Sequence, residues 1–254
     1  MSRLLGSKDF WLGGVRAEGA AFREAVRGAD LAAPVPSCPE WTVGDLVAHL
    51  GDVYAYVLHH VSRGVTDPPE RTRTSFHTQP DAGVVDWWEG RFTELMTALD
   101  GLDPELPAFN WAPQPKRVAF WHRRMAHETA VHRWDAQFAT ARAEPVEAKL
   151  AVDGVAEVLD TLLPAGKGTG PKDLRGVVGL VATDADHEWY IRLRGEGGFA
   201  LLDTNTLLDK AAPHERAVAR GPASDLLLAL WGRIDFDVLE VSGDVRLLEA
   251  LRAG

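Results

Sequence analysis

The segment Met125–Gln137, "MAHETAVHRWDAQ", reads as uninterrupted helix with polar side chains in an unexpected place. At about 100° per residue, Glu128, His132 and Asp135 fall on the same arc as the apolar Trp121. A carboxylate or imidazole removed from water destabilises a protein unless it is paired or coordinated. These three residues therefore need a partner inside the protein. The opposite arc, which is predicted to face outward, carries Arg123, Ala126, Ala130, Arg133 and Gln137.

The N-terminal half of the chain is predicted to form a four-helix bundle. Its second helix has the clearest signals, because Thr42 and Asp45 have the spacing of a capping box and Gly64 follows the last periodic residue, near Arg63. The other three helices are expected at about 8–28, 83–99 and 117–141.

After residue 143 the pattern changes to a mixture of helices and strands. A helix at about 146–163 and a Gly/Pro/Lys loop precede the strand-like runs "GVVGLVATD", "HEWYIRLRG" and "GFALLD". The runs "ASDLLLALWGR" and "DVRLLEALRA" read as helices on either side of the strand "DVLEVSG". We therefore predict an α plus α+β protein, with the bundle at 1–143 and a small domain with a mainly antiparallel sheet at 144–254.

The amino-acid composition limits which partners this protein can bind and in which compartment it is expected. The net charge of −10 and the pI near 5.4 argue against binding to nucleic acid or to an anionic membrane, since both need a basic surface. The single cysteine, Cys38, excludes an intrachain disulfide and a Cys-rich metal site. With no signal-like N-terminus and no apolar run of about 20 residues, we expect a cytoplasmic protein.

A histidine on the second helix could complete a metal site with the inward polar residues. His49 lies at the flank of the apolar stripe of that helix, and with Glu128 and His132 it would form a two-His, one-carboxylate site with one open position. Such a donor set suits a first-row divalent ion, and we predict zinc. Asp135 and Asp52 could orient a ligand imidazole through its second nitrogen. Alternatively, Glu128 and His132 hydrogen-bond each other beneath arginines of a neighbouring helix. The residues alone leave both interpretations open.

Two further groups of residues receive less specific predictions. Cys38 is a poor candidate nucleophile, because it lies in a Pro-flanked loop with no evident activating base. Residues of two loops either contact an anionic or sugar-bearing ligand or are solvated: Arg71, Arg73, His77, Asn110 and Trp111. Surface or loop positions are expected for most of the other histidines, His59, His60, His77, His122, His127, His187 and His214.

Two motifs carry a resemblance to a known family. "VPSCPEWTVGDLVAHLGD", followed some eighty residues later by "HETAVHRWDAQ", resembles the mycothiol-dependent maleylpyruvate isomerase family. The weaker C-terminal matches, "GPASDLLLALWGR" and "LEVSGD", occur in the family's order. The resemblance implies a DinB-like bundle that binds a divalent metal and a C-terminal domain similar to sterol carrier protein. It places the metal ligands at His49, Glu128 and His132 and a basic substrate-side residue at Arg233.

The resemblance also implies a chemistry. A bound metal would activate mycothiol, a low-molecular-weight thiol, for addition to or substitution on a small electrophilic substrate, as an isomerase or an S-transferase. Two other functions are kept as alternatives: a small-ligand binding protein with a structural metal, and a thiol-independent metal hydrolase. The expected oligomeric state is a monomer or a homodimer.

Overall fold

The computed structural model describes residues 6–69 and 83–253 of the 254-residue chain. The described residues divide into two compact units, one up to Glu144 and one from Pro145 onward. In the part of the chain that is described, no helix is both long and apolar enough to cross a membrane.

The first unit is a bundle of four helices: α1 (Lys8–Val26), α2 (Val43–Arg63), α3 (Val84–Gly101) and α4 (Val118–Ala139). Both predicted ends of α2 are confirmed. Thr42 and Asp45 form a reciprocal capping box at its start, and Gly64, with a φ of 63°, caps its end. Leu46, Leu50 and Tyr54, on the apolar stripe of α2, are fully buried.

The prediction that one arc of α4 faces outward is wrong. Arg123, Arg133 and Gln137 are all buried, with exposures of 5%, 3% and 8%. The reason is that α4 packs against both α1 and α2, and α1 supplies a carboxylate. The Arg133 side chain forms an ion pair with Glu18 and donates to the Gln137 side-chain oxygen, so its charge is compensated in the interior.

The second unit begins with α5 (Ala148–Glu157), which continues into a π-helical turn at Val158–Leu162. Five strands follow: β1 (Arg175–Ala182), β2 (His187–Gly195), β3 (Gly198–Leu202), β4 (Arg216–Gly221) and β5 (Glu240–Gly243). The helices between and after them are α6 (Thr206–Lys210), α7 (Ala223–Leu230) and α8 (Val245–Glu249).

The five strands form one sheet in the order β3-β2-β1-β4-β5. Every neighbouring pair is antiparallel except β1 and β4, which are parallel. The predicted fold class, α plus α+β with a mainly antiparallel sheet, is therefore confirmed. Strand β4 is absent from the sequence-based prediction, because "RAVARG" contains two alanines and a glycine, which are depleted in strands, and only one β-branched residue. Helix α6, which has five residues, is absent from it as well.

Candidate metal centre

Helices α2 and α4 bring three of the predicted site residues together. Nε2 of His49 lies 3.3 Å from Oε1 of Glu128, and Nε2 of His132 lies 3.2 Å from the same oxygen. One ligand atom from each residue falls within 4.8 Å of the other two. The exposed fractions of the side chains are 35% for His49, 13% for Glu128 and 7% for His132. The three donors thus converge on one point, and His49 is the most accessible of them.

Asp135 determines which nitrogen of His132 carries a hydrogen. The Asp135 side chain is fully buried, and its Oδ2 lies 2.9 Å from Nδ1 of His132. A carboxylate only accepts, so Nδ1 must donate, and a neutral His132 then presents a lone pair at Nε2. That lone pair faces the negatively charged Oε1 of Glu128. A positive charge is needed between the two atoms, and either a proton or a metal ion can supply it.

The ionisation of this pair follows from the same contacts. Burial alone would lower the pKa of His132, but hydrogen bonds to Asp135 and Glu128 and their negative charges raise it above its usual value. Burial opposes ionisation of Glu128, yet the charge of Arg124 and the hydrogen bonds from His132 and His49 hold its pKa well below the usual range. Glu128 is therefore an anion in the fold, which is the form that binds a cation.

Arg124 forms an ion pair with the second carboxylate oxygen of Glu128, Oε2, and its own side chain is only 5% exposed. Oε1 is left pointing at the two imidazoles. The sequence pattern did not single out Arg124, although its position one turn before Glu128 on the same helix is the spacing of an i,i+4 pair.

The loop before α2 covers the site from another side. Its residues Val35, Cys38 and Trp41 are linked by backbone hydrogen bonds of 2.8–2.9 Å, which hold the turn in place directly before the cap. The Trp41 ring lies 4.7 Å from that of His49. Ser37 donates to Oδ1 of Asp135 at 2.6 Å, so both oxygens of that buried carboxylate are satisfied. Ser37 and Trp41 were not among the residues predicted for the site; their closeness in sequence to the cap of α2 was the available signal.

The donor set fits a divalent ion. Zinc bonds to nitrogen and oxygen of about 2.0–2.1 Å, at tetrahedral angles, place donor atoms about 3.3 Å apart. The two distances from Glu128 Oε1 to the imidazole nitrogens, 3.3 and 3.2 Å, match this spacing. Two imidazole nitrogens and one carboxylate oxygen would also leave a coordination position open, as in catalytic sites.

Comparison with known proteins places the chain in a family. Residues 12–137 match the family model of the mycothiol maleylpyruvate isomerase N-terminal domain, and residues 149–250 match the MDMPI C-terminal domain. The chain belongs to the mycothiol-dependent maleylpyruvate isomerase family. This is a family of enzymes, so the resemblance noted from the motifs around His49 and His132 is confirmed.

Solved structures show the same fold. A crystal structure of the mycothiol-dependent maleylpyruvate isomerase is 14% identical to this chain with a TM-score of 0.65, and it covers 96% of this chain and 98% of its own. The crystal structure of a histidine-to-alanine mutant of that isomerase has the same coverage, with 13% identity and a TM-score of 0.63. A search of curated proteins found no significant match.

The remaining predicted residues of this isomerase-family chain have different outcomes. Asp135 contacts His132 as described, whereas the supporting role of Asp52, which is buried on α2 three residues after His49, stays a prediction. Arg233 belongs to the second unit; it follows α7, donates to the Trp231 carbonyl and lies over the Trp231 ring. Its catalytic role stays a prediction as well.

Asn110 and some of the other histidines differ from expectation. Asn110 is fully buried and bonds within its own loop, to the Pro115 carbonyl and the Ala112 amide, so it is a structural residue. Arg71, Arg73 and His77 lie outside the described residues. The expectation of surface or loop positions is wrong for the fully buried His60, His122 and His127.

Proposed function

We propose that this chain is a metal-dependent enzyme that uses mycothiol to act on a small electrophilic substrate, by cis-trans isomerisation or by S-transfer. The observation that carries the proposal is the convergence of two imidazole nitrogens, from His49 and His132, on one oxygen of Glu128 at 3.2–3.3 Å. Membership of the family supports the thiol. We propose zinc as the ion, because the donors are nitrogen and oxygen at tetrahedral spacing.

Each residue of the site has a defined task in this proposal. His49, Glu128 and His132 would hold the ion, and Asp135 keeps the His132 imidazole in the tautomer whose Nε2 can coordinate. Arg124 occupies Oε2 of Glu128 and leaves Oε1 for the ion. The ion, when bound, would supply Lewis acidity that favours the thiolate form of a thiol whose ordinary pKa is about 8.5.

The thiol chemistry balances without any other reactant. In the isomerisation, the thiolate sulfur would form a bond to one carbon of an activated cis double bond, and the π electron pair would move onto the activating group. The former double bond then rotates as a single bond, and return of the electron pair re-forms the double bond, breaks the carbon–sulfur bond and gives the trans product. The thiol is recovered. In an S-transfer, the thiolate would instead displace a leaving group and stay on the product. Arg233 is our candidate for a basic residue that binds the substrate.

The thiol is proposed to come from a cofactor and not from the chain. Cys38 lies near the site, with Sγ 3.9 Å from Oδ2 of Asp135. The negative charge of that buried carboxylate repels a thiolate on Cys38, so its environment is the opposite of the electropositive one that activates a cysteine. This contact supports an external thiol.

Substitution of Glu128 by Gln tests the proposal. The variant keeps the shape of the side chain but removes the anionic donor, so we expect the protein to lose bound metal and thiol-dependent turnover together. Glu24→Gln, which changes an exposed carboxylate of α1, is the matched control and should keep both. Metal content is measured by mass spectrometry on protein purified without chelator, and turnover with mycothiol and a panel of activated cis alkenes and alkylating electrophiles.

The alternatives give different results in the same experiment. A binding protein would keep its ligand affinity in Glu128→Gln, and a metal hydrolase would turn over without added thiol. If the wild-type protein contains no divalent ion and zinc leaves its thermal midpoint unchanged, the metal interpretation is wrong. The proton on His132 would then be the only positive charge between its Nε2 and Glu128. Cytoplasmic location and a monomeric or homodimeric state stay predictions.

A further inference from the structure

The sheet of the second unit has one face toward the core and one face rich in arginine. Directly paired residues of neighbouring strands project to the same side, and successive residues alternate. Val178 pairs with Ile191, and both are fully buried in the core. Arg175 pairs with Arg194 and lies on the opposite side. We call this side, which also carries Arg192, Arg216 and Arg220, the outer face.

A cavity of about 520 Å³ lies on the outer face, where β1 begins and β2 ends. Arg175, Arg192 and Arg194 line it from the sheet, and Lys210 lines it from α6. Helix α6 packs on the sheet and so bounds the cavity. The packing is close, because a Cβ atom added at Gly179 of β1 would lie 3.0 Å from the side chain of Leu208 in α6. The size is typical of small-molecule sites.

The charge of the cavity is opposite to that of the whole chain. The chain has a net charge of −10, yet among the described lining residues four are basic and only Glu215 is acidic. Within residues 6–69 and 83–253, the structure shows no ion pair for Arg175, Arg192 or Arg194. Elsewhere in the same unit arginines are paired, as Arg246 is with Asp244.

The positive charges around the cavity favour binding of an anion. Guanidinium groups that converge on one space repel each other, and the repulsion is relieved when an anion binds between them. Each guanidinium offers a planar pair of N–H donors that matches the oxygens of a phosphate or a carboxylate. Three such groups and one ammonium exceed what a single monovalent anion can satisfy.

We propose that the cavity bounded by Arg175, Arg192, Arg194 and Lys210 binds a small molecule that carries at least two phosphate or carboxylate groups. The proposal is independent of the thiol chemistry assigned to the first unit. A long polyanion such as a nucleic acid is disfavoured, because the rest of the chain is acidic and would repel charges that extend beyond the cavity.

Calorimetric titration of the full-length protein with inorganic pyrophosphate and with citrate tests the proposal at low ionic strength. The test variant is Arg192→Gln/Arg194→Gln. The control, Arg220→Gln, removes an exposed charge from the same face but outside the cavity. We expect at least one probe to bind the wild type, and the double variant to bind it about tenfold or more weakly, because it loses two of the four positive charges that line the cavity together with their paired N–H donors. The control should bind as the wild type does.

The two probes distinguish phosphate from carboxylate recognition. Binding of pyrophosphate but not citrate assigns a phosphate ligand, and the reverse assigns a polycarboxylate. Because both probes chelate metals and every variant keeps His49, Glu128 and His132, chelation affects all proteins alike and cannot produce the expected difference. Circular dichroism checks that each variant is folded. If the double variant is unfolded, Arg192→Lys replaces it as the test variant. The lysine keeps the charge but not the paired N–H donors, so this variant should still bind the probe more weakly than the wild type does.

Three results overturn the proposal. The first is a wild-type protein that binds neither probe. The second is an equal loss in Arg220→Gln, which would mean diffuse surface charge without a defined site. The third is a single-stranded oligonucleotide that binds more tightly than pyrophosphate through the same arginines, which would assign the surface to a macromolecule.

Discussion

His132 and Asp135 lie three residues apart on α4, and Nδ1 of His132 lies 2.9 Å from Oδ2 of Asp135, whose side chain is fully buried. Ser37 donates to the other oxygen of the same carboxylate. An aspartate can accept from both donors, whereas an asparagine at this position offers one oxygen and a donating NH₂ group. The geometry of His132 therefore depends on the charge and on both oxygens of Asp135.

We expect Asp135→Asn to weaken metal binding by about 10–100-fold, because the imidazole loses the carboxylate that orients it and raises its basicity. Competition with a chelator of known affinity measures the change. Asp86→Asn, at an exposed position in the first turn of α3, is the control and should leave metal affinity unchanged. Equal affinities of wild type and Asp135→Asn would show that Asp135 does not support a metal ligand.

The ion pair between Glu18 and Arg133 is buried, with side-chain exposures of 9% and 4%. Glu18→Gln would leave the arginine charge in the interior, and the loss of one partner of such a pair typically costs about 3–5 kcal/mol. We expect the lower end of this range, because Arg133 keeps hydrogen bonds to Gln137 and to the Glu144 carbonyl. Urea unfolding followed by circular dichroism gives the free energy of unfolding.

The exposed pair of Arg16 and Asp100 is the matched control, since its side chains are 53% and 61% exposed. Asp100→Asn should change the free energy of unfolding by less than about 1 kcal/mol. Similar effects of Glu18→Gln and Asp100→Asn would mean that burial does not determine the contribution of the pair.

His60 has no hydrogen bond to either ring nitrogen within the described residues, although it is fully buried. It packs between aromatic rings, 4.3 Å from that of Tyr56 and 6.0 Å from that of Trp121. Burial lowers the pKa of His60 from 6.5 to about 4, and the positive charges of His59 and Arg63 add to the effect. The native state therefore keeps this imidazole neutral at pH 5, whereas the unfolded chain protonates it.

His60 should make the protein less stable as the pH falls from about 6.5 toward 4, because the unfolded state binds the extra proton in that interval. Between pH 7 and pH 5 its contribution is a loss of about 2 kcal/mol. His60→Phe removes this contribution, so its free energy of unfolding should fall less between these two pH values than that of the wild type. His214→Gln, at an exposed position, should behave as the wild type. An equal fall in His60→Phe would contradict the assignment.

Local signals explain the parts of the fold that the sequence predicted well. Thr42, Asp45 and Gly64 define the ends of α2 through hydrogen bonds and a left-handed backbone that depend only on nearby residues. The grouping of Glu128 and His132 also followed from helical periodicity. The assignment of His49 to the site rested on its position at the flank of α2 and, more firmly, on the family resemblance. Periodicity alone was not enough, because the pattern on one helix cannot show which face of another helix lies opposite.

The errors arose where a distant residue decides the environment. Arg133 reads as a surface residue, and only its pairing with Glu18, 115 positions away, allows it to be buried. Asn110 reads as a free loop residue, yet it organises the turn around itself. The residues of β4 have little intrinsic preference for β-structure, and they form a strand because β1 and β5 pair with them on either side.

The parallel pairing of β1 with β4 has a consequence for how the second unit folds. Val177 and Arg216, which are partners in that pair, are 39 positions apart, whereas β1 and β2 are joined by a short turn. Closing the longer loop carries a larger entropic cost before any contact compensates for it. We therefore expect the hairpin of β1 and β2 to form early. The later pairing of β4 with β1, which also brings β5 into the sheet, is expected to determine the rate at which the sheet is completed.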